Sequence, residues 1–399
     1  MLSPNGAAVR AEEARMDFQL TEEQRMVRDM VRDFAQKEVA PIARDVDETG
    51  RFPAETFQRL GELGLLGLPY PEKYGGAGGD TVSYAIAVEE LSRACGSTGL
   101  TYAAHVSLGC APFYLFGTEE QKQKYLTHLA SGKGLGAFGL TEPQAGSDAG
   151  ATRTTARKDG DSWVINGAKM WITSGSIADV IVATARTIVD GEDRGVSCFI
   201  IEKGTPGFIP GKDEPKMGLK GSITSQLFFE DCRVPACNIL GSIGQGFKQM
   251  LIILDGGRIS IGAMALGLGM AALEAAVGYA KERVAFGHPI ADYQSIQWKL
   301  ADSATLLEAS RLLILQAAWL KDRGKRFPQE AAMAKLFASE AAEKACFEAV
   351  QIFGGAGYSR EYPVERYYRD NRLTEIGEGT SEIMRLVIAR NILRDHHSL

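Results

Sequence analysis

Three carboxylates crowd the stretch TEIGEGTSEI, Thr374 to Ile383, just ahead of the last helical pattern of the chain. Glu378 stands between two glycines, Gly377 and Gly379, with Glu375 before it and Glu382 after it. A carboxylate in this setting is a solvated loop charge, a helix cap or a proton acceptor. The last role needs burial, because a free glutamate titrates near ~4.3 and becomes a useful base when a dry site lifts it toward ~6–7. A second stretch, LTEPQAGSD (Leu140–Asp148), places Pro143, Gly146 and Ser147 in a rigid turn with the Thr141 and Ser147 hydroxyls. Its free N–H groups suit a polar ring or a pyrophosphate, and a plain connector accounts for the same Pro and Gly. In KMWITSG (Lys169–Gly175), Trp171 offers an indole to stack and Thr173 a hydroxyl to bond, although a core tryptophan is the commoner arrangement.

The elements that must position these residues fall into three blocks. From Thr21 the pattern TEEQRMVRDMVRDFAQKEVAP repeats apolar residues at helical spacing, opens with a capping box (Thr21, Gln24) and is expected to stop at Pro41. Similar patterns cover 53–65, 81–95, 97–116 and 118–130, the last opening with a second box, Thr118 and Gln121. From about Gly136 the grammar changes to short β-rich runs. Asp159-Gly160 and Asn166-Gly167 there predict two hairpin turns. After Gly246 four long helical patterns return, at 247–283, 292–325, 328–353 and 380–393, which predicts a bundle. The expected fold is α+β: an N-terminal helical domain over 16–135, a central antiparallel β domain over 136–240, and a C-terminal four-helix bundle over 241–399.

Bulk properties narrow the function classes. A chain of 399 residues exceeds one ordinary core, and 45% hydrophobic with 24% charged residues is a globular composition. The net charge of -6 argues against a nucleic-acid partner, which favours a basic face. No unbroken apolar run reaches the ~20 residues of a membrane span. The six cysteines are scattered and the five histidines show no ligand spacing, so buried thiols in a reducing compartment and no metal are expected. A bacterial chain of this kind would be cytoplasmic and a eukaryotic one would sit in the mitochondrial matrix. The first fifteen residues, MLSPNGAAVRAEEAR, lack an apolar core and read as a disordered extension before Met16. Two glycine motifs, GLGAFG (134–139) and GLGMAA (267–272), match a dinucleotide fingerprint but not its strand–turn–helix context. The second reads better as small residues for close helix packing.

Five motifs in order, LTEPQAGSD, GAKMWITSG, RVAFGHPIADYQSIQ, QIFGGAGY and EIGEGTSEIMRLVIARNIL, resemble the acyl-CoA dehydrogenases, and LDGGRISIGAMALG is most similar to the short-chain (butyryl) type. The resemblance covers about 16–393 and agrees with the α, β, α order of blocks. It implies FAD bound between the β domain and the bundle, with a neighbouring subunit of a homotetramer (a dimer of dimers) completing the site. By this resemblance Phe138, Leu140, Thr141 and Ser147 line the flavin, Trp171 and Thr173 cover its other side, and Thr380, Ser381 and Glu382 lie beside it. Arg283, Phe286, Gln294, Gln351, Gly354 and Gly355 hold the adenine and pyrophosphate across a subunit contact. A guanidinium suits a diphosphate, and a helix C-terminal charge is the plainer reading of Arg283. Asp255, Gly256, Gly257 and Arg258 contact the acyl-CoA together with Ser147 and Gly379, although Asp255 and Arg258 could simply pair on one helix face.

The implied reaction removes the α proton of a saturated acyl-CoA to a base and the β hydrogen to the flavin. Glu378 occupies the position of that base, while Glu375 reads as solvated. In isovaleryl-type and long-chain relatives the base precedes the helix arginine. That position here is Gly257, which has no side chain, so Glu378 is left. The stretch STGLTYAAHVSLGC carries no Lys or Arg, which disfavours a dicarboxylic acyl group. The expected activity is therefore short- or medium-chain acyl-CoA dehydrogenation with electron-transfer flavoprotein as the acceptor. A branched or alicyclic substrate, or an oxygen-using oxidase, is the alternative.

Overall fold

The computed structural model describes residues 19–394; the extension expected at 1–15 lies outside them. The first block contains helices α1 (Glu22–Phe34), α2 (Ala43–Thr49), α3 (Ala54–Glu62), α4 (Thr81–Ala94), α5 (Gly96–Ala104), α6 (Ala111–Phe116), α7 (Glu119–Gln121) and α8 (Thr127–Ala130). Both capping boxes form. Thr21 Oγ1 accepts from the Gln24 amide at 3.2 Å while Gln24 Oε1 accepts from the Thr21 amide at 3.0 Å, and Thr118 with Gln121 repeats the arrangement at the start of α7. Pro41 does not stop the first helix. A π-helical turn at Ala35–Val39 and a 3-10 turn at Ala40–Ile42 carry the chain into α2. Proline has no N–H to lose at the start of a new turn, so it is tolerated where the hydrogen-bond ladder changes register. The helix ends instead at Gly50, which takes a left-handed φ of 70°.

The middle block is one sheet of β1 (Gly136–Gly139), β2 (Thr155–Asp159), β3 (Ser162–Thr173), β4 (Val180–Val189), β5 (Glu192–Glu202), β6 (Phe208–Asp213), β7 (Thr224–Pro235) and β8 (Ile239–Leu240), in the order β6-β7-β3-β2-β4-β5-β8. Most pairs are antiparallel. The sheet departs from a purely antiparallel pattern at β4, where β1 and β2 both pair parallel along successive parts of the same strand. Asp159-Gly160 marks a real hairpin, with Asp159 paired to Ser162 and Gly160 at a φ of 53°. Asn166-Gly167 does not. It lies inside β3 at a register shift, where Asn166 bonds across to Asp231 through both its side-chain groups and Gly167 sits against Thr154 with no room for a Cβ. A tight hairpin of this type needs positive φ at both residues, and only Gly167 has it, so the pair builds a β-bulge. Trp163, Phe199, Leu227 and Phe229 fill the sheet's own core.

The last block holds α9 (Gly246–Glu282), a small hairpin β9 (Val284–Ala285) and β10 (His288–Pro289), α10 (Gln294–Asp322), α11 (Pro328–Phe353), a short α12 (Val364–Asn371) that the apolar pattern did not signal, and α13 (Ser381–Arg394). The four expected long helices are α9, α10, α11 and α13. Helix α9 is long and apolar enough to cross a bilayer, with a window of mean hydropathy 1.6, but two-thirds of that window is buried inside the protein. Its small residues explain how. A Cβ on Gly267 would lie 2.3 Å from the Glu89 carbonyl oxygen of α4, and one on Gly269 would lie 2.5 Å from Leu307 of α10. Helix α4 therefore packs directly on α9, and one continuous core joins the first and last blocks through Val88, Leu91, Leu266 and Leu268. Five of the six cysteines are buried and free, as their surroundings suggested; Cys237 is exposed.

Candidate active site

The loop that carries Glu378 is built from both ends. The 3-10 turn Arg372–Glu375 closes when the Gly377 amide donates to the Leu373 carbonyl at 2.8 Å. Thr380 then starts α13: its hydroxyl oxygen accepts from the Ile383 amide at 3.4 Å and its carbonyl from Met384 at 2.9 Å. Between these anchors Glu378 has a φ of 53° and Gly379 a φ of 105°. A glutamate in the left-handed region is uncommon, and such outliers concentrate where function fixes the backbone. At Gly379 a side chain would also strike the Met384 methyl at 2.7 Å.

The Glu378 carboxyl points at helix α9. Its Oε2 is buried without a hydrogen-bond partner, and it lies so close to Gly257 that a Cβ there would come within 1.8 Å of it. Gly257 is thus empty because the carboxyl occupies the volume its side chain would take. Burial pushes Glu378 up to about 7, with the charges of Lys335 and Arg258 working against the rise. The three glutamates are now distinct. Glu375 is half-buried and pairs with Arg372, a correction to its reading as a free loop charge. Glu382 is exposed in the first turn of α13, where its own amide and the Thr380 side chain hold its carboxyl below the usual range.

Asp255, Gly256, Gly257 and Arg258 occupy one turn of α9 beside Glu378. Asp255 and Arg258 do pair, and Arg258 Nε remains buried without a partner, so the guanidinium keeps unused hydrogen-bonding capacity. Burial raises the Asp255 carboxyl and lowers the Arg258 guanidinium, as expected for charges held out of water.

A second cluster lies at the sheet. Phe138 is buried in β1, while Leu140 and Thr141 are half-buried and the Thr141 carbonyl accepts from Met170 of β3 at 2.8 Å. Ser147 is exposed on the loop that follows. Thr173 is half-buried at the end of β3, and a second bulge between Lys169 and Ile172 turns Trp171 outward, 54% exposed with a φ of 61°. An exposed indole held by a strained backbone does not behave as a core residue. Beneath the loop lies a pair that the motif readings overlooked. The Lys169 ammonium reaches Glu142 Oε1 at 2.7 Å, Thr184 Oγ1 at 3.0 Å and the Leu140 carbonyl at 3.2 Å. Glu142 also accepts from the amides of Arg153 at 2.7 Å and Thr154 at 3.1 Å. Burial favours the neutral Glu142, but Lys169 and these amides outweigh it and hold the carboxyl at about 2.

The third predicted group stands apart. Arg283 follows α9, Phe286 tips the β9–β10 turn at 96% exposure, Gln294 opens α10, and Gln351, Gly354 and Gly355 close α11. All are exposed, and nothing lies within 4 Å of a Cβ built on either glycine. Arg283 also ends its helix, its amide donating to the Tyr279 carbonyl. Arg283 comes twenty-six positions after Gly257, about 39 Å along α9, so it does not reach the base within one chain. Ser381 Oγ, at the start of α13, is buried without a partner.

Lys335 was also missed. It lies on α11, fully buried, and its ammonium donates to the Gly379 carbonyl. The signal was present as a single lysine in the alanine-rich AAMAKLFASEAA, where a charge has no bland reason to be.

Comparisons with known proteins point to one family. Models for the acyl-CoA dehydrogenase N-terminal, middle and C-terminal domains match residues 21–133, 137–232 and 244–393. The chain is 58% identical over 380 residues to the "Probable acyl-CoA dehydrogenase YngJ" of Bacillus subtilis, covering 95% of this chain and 100% of the relative. Butyryl-CoA dehydrogenase from Megasphaera elsdenii superposes with a TM-score of 0.92 at 47% identity, over 95% of this chain and 100% of that one. A chain solved in work on the electron transferring flavoprotein of Acidaminococcus fermentans gives 0.93 at 50% identity, over 95% and 100%. An acyl-CoA dehydrogenase from Bacillus anthracis, solved with FAD, gives 0.90 at 38%, over 96% and 68%. With all three domain models matched in order along nearly its whole length, the chain belongs to the acyl-CoA dehydrogenase family.

Proposed function

We propose that this chain is a short-chain, FAD-dependent acyl-CoA dehydrogenase in which Glu378 removes the α proton of the thioester. The observation that carries the reading is the buried, unpartnered Glu378 Oε2 facing the side-chain-less Gly257. A carboxyl raised to about 7 is ionised enough near neutrality to accept a proton and basic enough to take it from carbon. The glycines on either side would let the thioester approach, and by the family likeness the Glu378 amide would support the charge that develops on its oxygen. Deep burial near the reacting carbon strengthens that interaction.

The residues fit FAD. Trp171 offers an exposed ring face, the Leu140–Asp148 loop offers amides and hydroxyls, and Ser381 offers a buried hydroxyl with no other partner. Phe138, Leu140, Thr141, Ser147, Trp171, Thr173, Thr380, Ser381 and Glu382 would hold the flavin end. When bound, FAD supplies the acceptor for the β hydrogen, taken as hydride. Arg283, Phe286, Gln294, Gln351, Gly354 and Gly355 face solvent far from the base, which supports a role toward a neighbouring subunit's cofactor in a homotetramer. Asp255, Gly256, Arg258, Ser147 and Gly379 would bind the acyl-CoA. Likeness to butyryl-CoA dehydrogenase supports a short acyl group, and likeness to the Acidaminococcus chain supports electron-transfer flavoprotein as the electron acceptor. In the stretch 97–110 the only ionisable imidazole, His105, is buried and pulled down to about 4, so no cation there would answer a second carboxylate.

The test is anaerobic. Purified protein should carry bound FAD, and butyryl-CoA should bleach it faster than longer or branched acyl-CoAs. Glu378→Gln should keep FAD and bind butyryl-CoA while losing flavin reduction by at least about a thousandfold. A variant that reduces its flavin at the wild-type rate refutes this assignment.

A further inference from the structure

Lys335 has no part in the proton and hydride steps, yet it sits under the base. Helix α11 surrounds it with the buried alanines Ala331, Ala332, Ala334 and Ala338. Its ammonium does not bond to the Glu378 carboxyl but donates to the carbonyl of the next residue, Gly379. That carbonyl belongs to the two-residue segment with positive φ, so the lysine ties the strained part of the loop to a rigid helix. Among the charged and titratable groups that face this place, α9 contributes Arg258 with its partner Asp255, α4 contributes the Tyr84 hydroxyl, and α13 contributes Glu382. Arg258 is answered by Asp255. The Lys335 charge is answered by a neutral carbonyl and, across the loop, by Glu378.

We propose that Lys335 is a positioning residue for the base: it tethers the Gly379 carbonyl so that the Glu378 carboxyl stays aimed at Gly257, and its charge, placed beside but not on that carboxyl, keeps the base ionisable in a dry site. The inference rests on the reading of Glu378 as the base. A direct ion pair would quench the carboxyl, whereas a cation one residue away biases its ionisation and leaves its lone pairs free. Burial pulls the ammonium down to about 8, with Glu378 resisting, so lysine and base are both charged only across a narrow range around neutrality.

Lys335→Gln and Lys335→Met test this in the FAD-loaded enzyme, with anaerobic flavin reduction by butyryl-CoA followed from about pH 5.5 to about 9.5 and flavin content recorded at each pH. Lys335→Gln keeps a donor for the Gly379 carbonyl but no charge. Its rate should fall about fivefold at pH 7 and converge with the wild type above about pH 9, because the midpoint of the acidic limb rises by about one unit. Lys335→Met loses the tether as well and should add about a tenfold loss at every pH. An unmoved midpoint in both variants overturns the proposal, even if the plateau falls, since a purely structural lysine gives that result. Glu378→Gln, measured alongside, separates the two claims. If it is inactive and the midpoints do not move, only the role of Lys335 fails; if it stays active, the base assignment fails and takes this proposal with it.

Discussion

Two buried lysines in this molecule sit beside two glutamates, one buried and one half-buried with a buried carboxyl oxygen, and the pairs do opposite things. In the sheet, Lys169 binds Glu142 directly at 2.7 Å, and two backbone amides fill the remaining lone pairs of the carboxylate, which is held at about 2. In the bundle, Lys335 passes over Glu378 to the neighbouring Gly379 carbonyl, Oε2 is left without a partner, and the carboxyl is raised to about 7. The residue types are alike, and both lysines are fully buried. What differs is whether the lone pairs of the carboxylate are filled. A satisfied carboxylate is a fixed anion that organises a loop, and an unsatisfied one is a base awaiting a proton. The sheet pair organises the loop expected to meet the flavin, and in the bundle Glu378 is the proposed base with Lys335 as its proposed tether.

Breaking the sheet pair should have the largest effect on stability. Lys169→Met leaves Glu142 buried and charged, and chemical denaturation should show a loss of about 3–5 kcal/mol. If stability barely changes, the pair does not organise the loop. The bundle is sensitive to geometry instead. Gly257→Ala puts a methyl where Glu378 Oε2 now lies, and displacing the carboxyl by about 1 Å should slow flavin reduction by about a hundredfold with FAD retained. Near-normal reduction in that variant would mean the carboxyl works from another position. Glu375 marks the lower limit: its partner Arg372 is largely exposed, so Glu375→Gln should cost roughly 0.2–1 kcal/mol and leave flavin reduction unchanged. A large kinetic defect there would blur the separation of the three glutamates.

Local rules carried the sequence reading far. Both capping boxes formed because Thr and Gln three residues apart satisfy each other without tertiary help, and α11 spans the same residues that its pattern marked, Pro328–Phe353. The readings that failed depended on neighbours distant in sequence. Asn166-Gly167 became a bulge because Asn166 could bond to Asp231 on β7, and Pro41 was absorbed because π and 3-10 turns shifted the ladder around it. The parallel pairing of β1 and β2 on β4 leaves no local signature at all. At the site, Glu378 was legible from its glycines and family likeness, and Gly257 from its missing side chain. Lys335 and Lys169 were not, since each is defined by a partner elsewhere in the chain, Gly379 or Glu142. An isolated cation in an apolar run was their only trace.

The central claim is that Glu378 is a base because its carboxyl is buried and unfilled. It is tested most directly by the pH dependence of anaerobic flavin reduction by butyryl-CoA in the wild-type enzyme. A carboxyl with a raised midpoint acts only when ionised, so the rate should climb about tenfold per unit below the midpoint and level off above about 7. A limb centred near the ordinary carboxylate value of 4.5, or a rate independent of pH between these values, would contradict the account.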